Sequence, residues 1–182
     1  YRFQHSLRVA SIGQRIAQKE GLNAEMMVIA CLLHDISYAD LRTEQDWENH
    51  GRTAAAIARP FLETLEIEPG MIEEICYGIA IHVDDEADFP GEKTVFARTI
   101  GDADNIDRFD AYRIFQNLNF NKFEEKSNEE KLSILEKINE KLEKYLHMDF
   151  ATPTATEMWK EKIAFQIEFH QRLKQQLEQS IQ

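Results

Sequence analysis

The stretch Ala30-Cys31-Leu32-Leu33-His34-Asp35-Ile36 restricts the fold more than any other part of the chain. It is an apolar run of helical character that ends in an adjacent imidazole and carboxylate. Such a run must be buried, and it takes His34 and Asp35 out of water with it. Burying polar groups costs roughly several kcal/mol unless they are hydrogen-bonded or coordinate something. Neighbouring helical residues project about 100° apart, yet both side chains can converge on one point beyond the helix end. A divalent cation at that point would offset the cost, because imidazole and carboxylate together suit first-row metals. Taken alone, the pair is better explained by a simple hydrogen bond.

Two further segments change the weight of that pair. His5 lies in Arg2-Phe3-Gln4-His5-Ser6-Leu7-Arg8-Val9-Ala10, at the start of a helical pattern. Asp104 lies in Ile100-Gly101-Asp102-Ala103-Asp104-Asn105-Ile106-Asp107-Arg108-Phe109. The order His…His-Asp…Asp resembles the HD-domain superfamily of metal-dependent phosphohydrolases. The resemblance implies an all-α fold, an HD-domain helical bundle, in which His5, His34, Asp35 and Asp104 hold a divalent ion. Asp104 is the last ligand on this reading because Ala103-Asp104-Asn105-Ile106 matches the family's order of small residue, Asp, polar, apolar. Asp102 falls about 200° from it on a helical wheel, whereas Asp107 lies about 60° away and can support the site from outside.

His50, in Glu48-Asn49-His50-Gly51-Arg52, and His82, in Gly78-Ile79-Ala80-Ile81-His82-Val83-Asp84, stand between the His-Asp pair and the last Asp. Family members with two such histidines tend to hold two metals. The resemblance then implies that Asp35 bridges to a second ion held also by His50 and His82. In the alternative, a single ion is present and His50 and His82 bind phosphate or supply a general acid. Either way Asp35, His50 and His82 belong to the expected catalytic machinery. Arg52, Lys93 and Arg108 are candidate phosphate contacts, each equally readable as a surface charge. The metal, one ion or two, is open among Fe, Mn, Ni, Co, Zn and Mg.

The activity implied is hydrolysis of a phosphate ester or anhydride of a nucleotide-like small molecule by metal-bound hydroxide. A non-catalytic ligand-sensing or scaffold domain of the same family is the alternative. Residues 1 to about 115 look most like small bacterial HD hydrolases, including the group that splits diadenosine tetraphosphate symmetrically. The chain departs from that group at Val83-Asp84-Asp85-Glu86, which replaces a Thr-containing segment. It departs again at Asp107-Arg108-Phe109, which stands where an acid-proline pair is usual.

Charge and composition limit the partners. The net charge of −12 argues against a nucleic-acid groove, which needs a basic stripe. The excess acid sits in residues 1–120, with 21 Asp+Glu against 11 Lys+Arg, while residues 121–182 carry 12 against 10. An acidic lobe handling a small phosphorylated substrate needs a metal, and a few local arginines, to reverse the sign at its pocket. No run of eighteen apolar residues is present, so no membrane span is expected, and no signal-peptide pattern opens the sequence. Cys31 and Cys76 stand alone in apolar helical runs and read as buried thiols in a reducing cytoplasm.

Hydrophobic spacing and capping signals predict helices over 3–19, ended by Gly21, and from an Asn23 cap to His34-Asp35. A polar loop is expected over Ser37–Asp46. A third helix starts near Trp47 and is kinked or split at Pro60, and a fourth runs Met71–His82 with Pro69 in its first turn. Thr94 caps the helix that carries Asp104. Ser127-Asn128-Glu129-Glu130 and Thr154-Ala155-Thr156-Glu157 read as capping boxes for two final helices. His147 and His170, in those helices, read as partly buried packing residues. The expected organisation is a metal-binding core of residues 1–120 and a helical hairpin of residues 121–182. The hairpin's apolar stripe (Trp159, Ile163, Phe165, Ile167, Phe169) must cover the core or line a homodimer interface.

Overall fold

Helix termini are where the local sequence has most control, and the computed structural model, which describes residues 2–179, shows the capping signals at work. Among the described residues there are eight α-helices and no strand. Helix α1 (Arg2–Glu20) is closed by Gly21, whose φ of +72° is a left-handed turn that favours glycine, with Leu22 N donating to Ala17 O at 2.9 Å. Helix α2 (Ala24–Leu33) begins on Asn23, whose side chain accepts from Met26 N at 3.2 Å.

The polar segment after Asp35 is not wholly irregular. Ile36–Asp40 forms a 3-10 turn, started by Tyr38 N donating to Asp35 O at 3.0 Å. Helix α3 (Glu44–Leu62) then starts earlier than Trp47, because Thr43 and Asp46 form a reciprocal capping box. Asp46 takes the place more often held by Glu or Gln, so the signal was missed. Pro60 does not split the helix. It lies in the last turn, and α3 continues to Leu62.

Helix α4 (Pro69–Ile81) starts with Pro69 in its first turn and Glu68 as its cap, and α5 (Val95–Arg108) is capped by Thr94 accepting from Ala97 N at 3.0 Å. Helix α6 (Ala111–Phe120), capped by Asp110, was not expected; of its apolar residues Ala111, Tyr112, Ile114, Phe115, Leu118 and Phe120, only Ile114 is buried. The Ser127–Glu130 capping box opens α7 (Asn128–Tyr145) as expected. For α8 (Pro153–Gln179) the capping residue is Thr152, not Thr154: Thr152 Oγ1 accepts from Ala155 N at 3.0 Å. Thr154 N donates instead to Glu20 Oε1 at 2.9 Å.

The chain forms two compact units. The first runs to Asp107 and includes Phe150–Ala155; the second comprises Arg108–Asp149 and the chain from Thr156 onward. The first unit's core is drawn from α1 to α5, with Val9, Ala17, Met27, Ala30, Cys31, Ala58, Leu62, Ile75, Ile79 and Ile100 all at 0% exposure. Each large aliphatic chain in it contributes roughly 1.5–3 kcal/mol. Small residues allow the close approaches. A Cβ on Gly51 would come within 2.6 Å of Ala80 O and 3.1 Å of His82 Nδ1, so glycine is what lets α3 close on the end of α4.

In the second unit Leu135, Leu142, Trp159, Ile163 and Ile167 are buried. Phe165 is 45% exposed and so lies off the stripe on which it was placed. His147 is exposed and His170 is buried, which divides two residues expected to be alike. No described helix is long and apolar enough to cross a membrane.

Candidate metal centre

The six expected ligands come from five helices and meet inside the first unit. His5 projects from α1, His34 caps the C-terminus of α2 with Asp35 next to it, His50 lies on α3, His82 caps α4, and Asp104 lies on α5. Exposure is 1% for His5, 0% for His34, 8% for Asp35, 9% for His82 and 5% for Asp104. Three overlapping sets have donor atoms within 4.8 Å of one another: His5 with His34 and Asp35, His34 with His82 and Asp104, and Asp35 with His50 and His82.

Asp35 sits between two halves of this cluster. Its Oδ2 is 3.7 Å from His5 Nε2 and 3.6 Å from His34 Nε2. Its Oδ1 is 3.4 Å from His50 Nε2 and 3.8 Å from His82 Nε2. Asp104 Oδ1 lies 3.0 Å from His5 Nε2 and 3.8 Å from His34 Nε2. Ligands at about 2.0–2.2 Å from one ion are separated by roughly 3.0–3.5 Å at octahedral to tetrahedral angles. The observed spacings are close to that range without further movement of the backbone.

The outer nitrogen of each imidazole is fixed from behind. His34 Nδ1 donates to Cys31 O at 2.6 Å, His50 Nδ1 to Trp47 O at 2.6 Å and His82 Nδ1 to Ile79 O at 2.7 Å. His5 Nδ1 donates to Asp107 Oδ2 at 2.6 Å. These partners make Nδ1 the donor in each ring and turn Nε2 inward, the atom left to coordinate a cation wherever the ring is neutral. His34 Nε2 is buried with no hydrogen-bond partner. His50 Nε2 and His82 Nε2 face each other at 3.2 Å. Two lone pairs so placed need a proton or a cation between them. Buried unpartnered nitrogen is costly, and the cost disappears on coordination. The donor set fits divalent metal.

The ion-free protein has a correspondingly polarised site. Burial alone would raise the Asp35 carboxyl, but its contact with His50 and the nearby imidazoles of His34 and His82 outweigh it and hold it at about 2. Burial would lower His5, yet the carboxylates of Asp104 and Asp107 raise it to about 9. His82, fully buried and beside other imidazoles, falls to about 4. His50 moves up, its burial overcome by Asp35 and the Trp47 carbonyl. Cys31 is pushed upward by burial and is inert as a thiolate.

The expected phosphate contacts fare differently from the ligands. Arg52 Nη1 is paired with Asp84 at 2.8 Å, and Lys93 Nζ pairs with Asp85. Both charges are engaged with the acidic loop after His82. Arg108 belongs to the second unit, where it lines a cavity with Arg113 and Lys141. Two arginines that were not singled out take the places beside the cluster. Arg2 Nη1 lies 2.9 Å from Asp35 Oδ2, its guanidinium stacked 3.3 Å over the Tyr38 ring. Arg8 grips Asp107 through Nε at 2.6 Å and Nη2 at 2.9 Å. Arg2, His5 and Arg8 recur every three residues on one face of α1, a spacing too common among charges at a helix start to have singled them out.

Comparison with known proteins agrees with this geometry. The family model described as HD domain matches residues 2–108. The crystal structure of a predicted HD superfamily hydrolase from an uncultured Thermotogales bacterium superposes with a TM-score of 0.67 at 22% identity, covering 94% of this chain and 78% of that one. That likeness carries the fold. No functionally curated protein matches the sequence.

Proposed function

The chain belongs to the HD-domain family, and on that footing we propose that it hydrolyses a phosphate ester or anhydride of a nucleotide-like small molecule. The observation that carries the reading is the division of labour at Asp35, which turns Oδ2 to His5 and His34 and Oδ1 to His50 and His82. His5, His34, Asp35 and Asp104 would hold one divalent ion; Asp35, His50 and His82 would hold a second. The mixture of imidazole nitrogen and carboxylate oxygen favours a first-row transition metal. Bound ions supply Lewis acidity toward phosphoryl oxygens and lower the pKa of water.

The protein's own groups do the rest. Asp107 and the Cys31, Trp47 and Ile79 carbonyls keep each imidazole in one tautomer and one orientation. Arg2, 40% exposed and paired with Asp35, reaches the cluster from its rim and is the cation positioned to meet an incoming phosphate. The nucleotide-like class rests on the resemblance to small HD hydrolases.

The test joins metal content to turnover. Elemental analysis of the purified protein is expected to give two ions per chain, and of His82→Ala one, with Mn²⁺-dependent release of phosphate from a panel of nucleoside phosphates by the wild type. Wild-type protein that takes up no metal and hydrolyses none of them overturns the proposal. A single ion in both proteins moves His82 from ligand to phosphate contact or general acid.

A further inference from the structure

We propose that two copies of this chain associate through the outer face of α3, helix against helix across a twofold axis. The surface belongs to the first unit alone and does not depend on the hydrolytic reading of the metal centre.

From its middle onward α3 is uncharged on two opposite sides. Between Gly51 and Leu62 the charged residues are Arg52 and Arg59. On one side Gly51, Ala54, Ala55, Ala58 and Leu62 are buried. On the other Thr53, Ala56, Ile57, Pro60 and Phe61 are exposed, Ile57 at 40% and Phe61 at 51%. Those five follow the spacing i, i+3, i+4, i+7 and i+8, which makes one continuous stripe. Single apolar side chains on a surface need no explanation, but a stripe at core spacing does. A helix that is apolar on both sides is ordinarily covered on both.

The two arginines leave the stripe clear. On a helical wheel they fall roughly 110–130° from its centre. Each is also held by another element: Arg52 Nη1 lies 2.8 Å from Asp84, and Arg59 Nη2 donates to Glu73 Oε2 at 2.8 Å. The Arg59 guanidinium stands 5.5 Å from the Phe89 ring centre.

Charge selects the occupant. The chain carries a net charge of −12, so two copies repel wherever their acidic surfaces meet. A basic partner would be drawn to those acids and would gain nothing from an uncharged stripe. A second copy can approach where neither surface brings a charge. The sizes are self-complementary as well. In an antiparallel pair centred on Ile57, Phe61 of one copy lies over Thr53 of the other, large against small, and the twofold axis repeats the contact. The stripe is about 12 Å long from Thr53 to Phe61. That is the apolar centre of an interface and not a large one, which makes the dimer micromolar in strength.

Sedimentation equilibrium of the full chain across micromolar concentrations tests this, with excess EDTA present to prevent bridging by metal. The expected result for the wild type is a monomer–dimer equilibrium. Ile57→Glu and Phe61→Glu each bring like charges into the uncharged contact and should raise the dissociation constant at least about a hundredfold. Both positions are exposed, so circular dichroism should match the wild type. Phe120→Glu, at an 88% exposed ring of the second unit, should leave the equilibrium unchanged. A wild type that stays monomeric at every concentration overturns the proposal and leaves the stripe to a different partner. So does a dimer that persists at full strength in Ile57→Glu and Phe61→Glu, or one that Phe120→Glu breaks as readily.

Discussion

The first unit and the second both bury histidine, and in opposite ways. In the first, His5, His34, His50 and His82 each donate Nδ1–H to a fixed acceptor and turn Nε2 toward Asp35 or Asp104. In the second, His170 is 3% exposed, its Nδ1 has no hydrogen-bond partner, and its ring lies edge-on to Phe169 at 5.6 Å. Burial does not distinguish a ligand from a packing residue. What distinguishes them is whether the second nitrogen is held and whether a carboxylate waits at the first. A histidine with both is ready for a cation; one with neither is an aromatic side chain with a polar atom left over.

The sharpest way to break that contrast is to remove the carboxylate that the first unit's imidazoles share. Asp35→Asn keeps the shape but loses the negative charge facing His5, His34, His50 and His82. It also loses the ion pair with Arg2. Phosphohydrolase activity is expected to fall by at least about a hundredfold, as for a disturbed metal shell, with circular dichroism unchanged. Full activity in Asp35→Asn, on a substrate that the wild type hydrolyses, would sink the assignment of this cluster to catalysis.

A smaller effect is expected one step further out, at Asp107. Its carboxylate accepts from His5 Nδ1 at 2.6 Å and is held by Arg8 on its other side. Asp107→Asn leaves an acceptor within reach of His5 but removes the charge that makes the imidazole a strong donor to metal. Affinity for Mn²⁺ or Zn²⁺, measured by competition with a chromophoric chelator, should drop by roughly 10–100-fold. Unchanged affinity would show that holding Nδ1 matters less than the contrast with His170 implies.

These two residues also mark how far the sequence could be read. The residues that cluster at Asp35 were legible because the family spacing selects them, and Asp107 because 60° on a helical wheel puts it beside Asp104. Arg2 and Arg8 carry no motif of their own. Their role follows only from the turn of α1 that stacks them above and below His5, and charged residues at a helix start are common for other reasons. Arg52 and Lys93 looked available in sequence because nothing there says that Asp84 and Asp85 will take them. The helix α6 was legible and was passed over: Ile114, Phe115 and Leu118 recur at helical spacing behind an Asp110 cap. The start of α8 was misplaced by two residues because both Thr152 and Thr154 are acceptable caps, and the choice was made by Glu20 taking the Thr154 N–H. For Arg2, Arg8, Arg52 and the start of α8 the deciding partner is distant in sequence, which local patterning does not report.

The gentlest probe of the comparison is His170 itself, and its signature is pH dependence, not activity. Burial without a partner lowers its pKa from the ordinary 6.5. The folded protein therefore refuses a proton that the unfolded chain accepts, and stability falls as pH drops from about 6.5 toward the lowered folded value. The slope cannot exceed about 1.4 kcal/mol per pH unit for one proton. His170→Leu keeps an apolar group of similar size and removes the titration. Urea melts at pH 7.5 and pH 5 should show the two proteins close together at the higher pH. At the lower pH the variant should be the more stable. The first unit's carboxylates and imidazoles titrate too, but they are common to both proteins and cancel in the difference. Identical pH dependence in the two, or a steeper loss in the variant, would mean that His170 has an acceptor for its proton. Its separation from the four clustered histidines would then have to rest on the carboxylates alone.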